Sequence, residues 1–115
     1  MAIEDSTLRE YEDLIIIALS KTSLGDLILD LSKAPDLDYN FIISVFKKYY
    51  IPNAEAYLTE IRAKTCIKIG ISVRKETKSS ESMTSAIYLS FLGIVFELIL
   101  KALSYKEGRY TLSSV

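Results

Sequence analysis

The 115-residue sequence has no histidine, no tryptophan and no glutamine, and only one cysteine, two prolines and four glycines. Each shortage removes a class of function. Without His, the usual general base near neutral pH and the commonest metal ligand are both missing. A lone Cys66 excludes an internal disulfide framework and fits a reducing compartment; with no His to activate it, it reads as a small core residue. Gly25, Gly70, Gly93 and Gly108 are too scattered to form a phosphate-cradling loop. Asp26, Asp30, Asp36 and Asp38 lie close in sequence but lack the glycine turn and ligand spacing of a calcium loop, and a solvated helix face explains them better. We therefore expect no catalytic residue, no cofactor and no bound metal.

What remains is half apolar and a quarter charged, the composition of one globular domain spanning residues 1–115. The shortage of Asn, Gln, Cys and Met is the pattern of thermophile proteins, which suggests an archaeal or archaeal-virus source; an AT-rich genome produces the same skew. The first 13 residues carry five acids and no apolar run, unlike a secretory leader, so a cytoplasmic location is expected.

Helical spacing dominates the row. Leu8, Tyr11, Leu14, Ile15, Ala18 and Leu19 predict a first helix from Ser6 or Thr7. A second is expected over Leu24–Lys33, with Ser23 as its cap and Pro35 beyond its end. A third is expected over Asp38–Tyr50, apolar on most sides and therefore central. Asn53 is a suitable cap for a fourth, with Tyr57, Leu58 and Ile61 inward. Then the period changes. Ile67, Ile69, Ile71 and Val73 alternate with Lys68, Gly70, Ser72 and Arg74, which favours a half-buried strand over a helix continuing through Gly70. A polar loop over Lys75–Ser82 precedes the final helix, which Gly108 ends. The predicted fold is mainly α: a compact five-helix bundle with a minor β element near residues 66–74, beside which the C-terminal tail can add an edge strand.

Residues 82–96 carry no charge, but a membrane span needs about 20 mostly apolar residues. Ser82, Ala86, Ser90, Gly93, Glu97 and Lys101 follow one helical line, which a lipid-facing helix would not need. A core helix with a narrow edge explains the run, and membrane partnership is not expected. Ala86, Ser90 and Gly93 are the candidate seat of a second helix across an oligomer interface, since small residues let backbones approach.

Charge is unevenly spread. Residues 1–38 sum to −6 and residues 39–115 to +5, and Arg62–Lys78 holds six basic residues against one acid. On a strand, Lys68 and Arg74 would share the solvent face, flanked by Arg62, Lys64, Lys75 and Lys78. Lys47 and Lys48, beside Tyr49 and Tyr50, would extend the patch. Such a face suits sequence-independent contact with nucleic-acid phosphates; edge lysines that merely block aggregation produce the same pattern. Residues 23–50 also have helix-turn-helix proportions, but Asp36 and Asp38 would repel phosphate where a reading helix enters the groove.

The leading expectation is a small, non-catalytic, oligomeric assembly or accessory protein that touches nucleic-acid backbone through this basic face. A subunit of an archaeal nucleoprotein complex, or a viral factor acting on one, has this size and architecture. The alternatives are a pure protein-interaction module forming a helical homodimer and a small helix-turn-helix transcription regulator.

Overall fold

Apolar residues at three- and four-residue spacing fold the chain into five helices, and the computed structural model describes residues 3–34, 38–76 and 80–113, with side chains outside 72–84. Helix α1 (Asp5–Ser20) buries Leu8, Ile15, Ile16 and Leu19. Leu14, expected inside, is 43 % exposed, and Ile16 takes the inward position instead. Helix α2 (Leu24–Ser32) buries Leu27 and Leu31. Helix α3 (Tyr39–Lys48) starts where Asp38 caps it: the carboxylate accepts a hydrogen bond from the Asn40 amide at 2.9 Å, satisfying one of the amides that lack an intrahelical partner. Four of its ten residues, Ile42, Ile43, Val45 and Phe46, are buried.

Helix α4 (Ala54–Glu76) corrects the expected β element: positions 66–74 are helical and continuous with the turns before them. The described residues contain no strand, and the described part of the tail adds none. A lone strand leaves its amides and carbonyls without partners, whereas a helix pairs them within the segment. That gain outweighs the penalty of about 1 kcal/mol for a helical glycine at Gly70. The cap also differs from expectation. Asn53 adopts a left-handed backbone with φ 59°, a conformation that asparagine tolerates better than most residues.

Helix α5 (Ser80–Lys106) packs most extensively on α1 and along α4. Only three residues separate α4 from α5, too few for a parallel return, so the two form an antiparallel hairpin. Gly108, at φ 78°, closes α5 with the double bond pattern of a Schellman turn: its amide donates to the Tyr105 carbonyl at 3.0 Å, and the Arg109 amide to that of Ser104 at 2.8 Å. The tail then folds back. Leu112 is buried, and the Ser113 amide donates to Asp13 on α1 at 3.2 Å.

Burial is uneven along the hairpin. On α4, Ala54, Tyr57 and Leu58 are buried, but none of residues 62–71 is; on α5, none of residues 85–90 is buried and Phe91 is the first core residue. The hairpin therefore runs past the core as an arm. The 15 residues from Arg62 to Glu76 give it a length of about 22 Å, in a molecule measuring 45 × 32 × 25 Å.

Candidate interaction surface

Helix α5 is apolar on two opposite sides. Phe91, Val95, Leu98, Ile99 and Ala102 form the core side. Leu89, Gly93, Phe96, Leu100 and Leu103 follow alternating steps of four and three residues, which places them on the opposite, outward side. Leu89 is 66 % exposed and Leu100 63 %. Gly93 lies between them, and a methyl group added there would meet no neighbouring helix within 4 Å, as at the other three glycines. Ile67 and Ile71, one turn apart on the arm of α4, are also more than half exposed. Large apolar residues repeating along one helix face mark an interaction site more strongly than isolated exposed ones do.

The residues expected at an oligomer interface border this seam. Ser90 and Gly93 are exposed and Ala86 is half-buried. Gly93 belongs to the seam, while Ala86 and Ser90 lie on its flank. The leucines and Phe96 were legible only as members of a core helix, because an uncharged run does not say which of its sides a small domain can cover.

The basic residues do not form one face. A helix replaces the expected strand, so Lys68 and Arg74 are not aligned; positions 64, 68 and 75 share a line instead. Lys48 donates to Asp30 at 2.7 Å and Lys47 pairs with Glu55 at 3.0 Å. Lys64 lies 3.4 Å from Asp5, and the Arg62 guanidinium covers the Tyr39 ring at 4.5 Å. Lys68 is exposed and makes no ion pair among the described residues. Arg74 and Lys75 lie on α4 with side chains outside the described set, and Lys78 is outside the described residues. The exposed ion pairs contribute little stability, but they cancel the unbalanced charge that phosphate binding requires.

Asp30 is the focus of one such cluster. Its hydrogen bond from Lys48, and a second from the Tyr49 hydroxyl at 2.8 Å, hold its carboxyl below the usual carboxylate range. The same contact raises the lysine. Asp30 therefore belongs to an ion-pair network joining α2 to the end of α3.

A second cluster has no counterpart in the sequence reading. Glu12 of α1 accepts from Lys101 of α5 at 2.6 Å and from the Tyr57 hydroxyl of α4 at 3.0 Å, and Lys101 also lies 3.3 Å from Glu97. Together with Ile61, Ile94 and Leu98 these residues line a cleft of about 200 Å³. Burial, reinforced by Glu12, pushes the Tyr57 hydroxyl far above its ordinary range. Burial works against charge on Lys101, but its two carboxylate partners prevail and raise it. The partners are 45 and 89 residues apart, so no local pattern announces them.

By length and composition Ser85–Lys106 would also cross a membrane, and 28 % of its most apolar window is buried in the molecule. As a span it would part Lys101 from its partner Glu12 on α1, a pair that holds α5 against the rest of the fold. No protein-family model, curated protein or solved structure matches the chain.

Proposed function

We propose that this protein is a non-catalytic assembly module that works by packing the outward side of α5 against a helical protein partner. The observation that carries this reading is the seam itself: Leu89, Phe96 and Leu100 point away from the core, with open space over Gly93 between them. Leu89 and Leu100 leave about two-thirds of their surface in water and Phe96 and Leu103 over a third, so covering them gives that share of the roughly 1.5–3 kcal/mol that full burial of each would contribute. The test is a photo-crosslinking residue at position 100, with exposed Ser44 as the control site, in cells that make the protein. A defined adduct at position 100 and none at position 44 is expected. Absence of any adduct at 100 would sink the reading.

The shared line of Lys64, Lys68 and position 75 supports a second reading, contact with nucleic-acid backbone along the arm. It predicts binding to unrelated oligonucleotides that collapses with salt and is abolished by Lys64→Glu with Lys68→Glu. No shift of any oligonucleotide at low salt would remove it.

A further inference from the structure

We propose that the outward face of the α4 arm docks on an anionic lipid surface, as a peripheral contact and not as a span. The proposal stands apart from the α5 reading, and it gives the Lys64 and Lys68 line an occupant other than nucleic acid.

The arm sorts its residues by side. Thr65, Cys66, Ile69 and Gly70 are half-buried and form the inner side, along which α4 packs on α5. Lys64, Ile67, Lys68 and Ile71 recur at three- and four-residue steps on the other side, and positions 74 and 75 continue that face by helical register. Ile67 is 63 % exposed and Ile71 51 %, and Lys68 is exposed as well. None of residues 62–71 is buried, so no other helix covers the face. From position 64 to 75 it runs about 16 Å, with four basic positions, two isoleucines and no acid. Glu76 falls on the inner side by the same register. Two acids stand near the base of the arm. Glu60 accepts from the Ile3 amide at 3.1 Å, and Asp5 meets Lys64 at 3.4 Å in an exposed pair of little strength.

Charge complementarity calls for an anionic partner, and the isoleucines decide its kind. Phosphates along a nucleic-acid strand would take the lysines but set charged groups over two apolar side chains. A bilayer interface takes both. Apolar side chains enter at the boundary of the acyl chains, while lysine stems lie along them and keep the ammonium groups among headgroup phosphates. The arm has the order this needs: the isoleucines are central, with positions 64, 68 and 75 on one flank and 74 on the other. Each cation then adds about fivefold to the affinity for anionic lipid.

The chain has no tryptophan, so Ile71→Trp supplies a single reporter. On phosphatidylcholine–phosphatidylglycerol vesicles its emission should move to the blue, and the full chain should sediment with them. Ser44→Trp, on the exposed side of α3, should keep its emission unchanged. Pure phosphatidylcholine vesicles should bind neither chain. Lys64→Ala with Lys68→Ala should weaken binding about twentyfold, and Ile67→Ser with Ile71→Ser about tenfold or more, both with unchanged far-ultraviolet dichroism. No sedimentation at low salt overturns the proposal, as does equal binding to the two kinds of vesicle. Vesicle binding that ignores the isoleucine pair but is lost in Leu100→Glu also overturns it, and would put the contact on α5. Oligonucleotide binding that ignores the isoleucine pair, in a chain that leaves vesicles untouched, overturns it in favour of nucleic acid.

Discussion

Tyr50 is 90 % exposed and holds φ 53°, a left-handed conformation that costs a side-chain-bearing residue about 1–2 kcal/mol. Its ring covers almost nothing, so the strain is not offset by packing in the chain. Tyr50→Gly relieves about 1–2 kcal/mol of strain and costs about 0.4–1 kcal/mol in unfolded-chain entropy, so a gain of up to about 1 kcal/mol is expected, read as a higher denaturant midpoint at unchanged slope; a clearly lower midpoint would show that the ring packs on something. Single residues were legible in the sequence where the chemistry is local. Gly108 ends α5 as expected, and the third helix starts within one residue of its expected start, with Asp38 as its cap and Tyr39 as its first residue. Asn53 stands at the expected start of α4, its carbonyl accepting from the Tyr57 amide at 3.0 Å, but with a left-handed backbone in place of the extended one usual for a cap, and asparagine is favoured in both settings. Nothing local distinguishes the two.

At the scale of elements, all five helices are legible from periodicity, and the errors fall on two adjoining segments: the strand expected over 66–74 is helical, as are positions 75–76 and 80–82 of the loop expected over Lys75–Ser82. The alternation of Ile67, Ile69 and Ile71 satisfies a strand, but Ile67 and Ile71 also stand one helical turn apart. Which pattern wins depends on whether a second strand exists to pair with, and that is a property of the whole chain. The same dependence hid the α5 seam, because composition gives an apolar helix two good faces and only the other helices decide which is covered. The arm offers a direct test. No residue from 62 to 71 is buried, so Gly70→Pro, at a cost of about 2 kcal/mol beyond that of the glycine it replaces, should break the arm and spare the core. Far-ultraviolet dichroism should lose helix while the near-ultraviolet signal of the buried Tyr57 persists. Loss of both signals together would show that the arm and core fold as one unit.

Across the whole molecule, Glu12 ties α1, α4 and α5 together, and this gives stability a defined alkaline limit. The folded chain retains the Tyr57 proton well above the ordinary value of 10.0, at which the unfolded chain releases it. A group raised in this way contributes stability that is complete below its unfolded value and is lost as pH rises toward the folded one. Lys101, raised from 10.5, acts in the same direction. The melting temperature should thus fall above about pH 10, and Tyr57→Phe should lessen that fall; an equally steep loss in the variant would mean that the buried Tyr57 proton does not set the alkaline limit. Part of the charge asymmetry is used within the fold, in the pairs of Lys48 with Asp30, Lys64 with Asp5 and Lys101 with Glu12.

The arm also sets the order of unfolding. A hairpin that extends past its own core has little besides its internal hydrogen bonds to hold its helical geometry. Opening the arm therefore takes less free energy than opening the helices at Phe91 and beyond, so the amides of residues 62–71 exchange with solvent ahead of those of the core. The molecule unfolds from the hairpin inward.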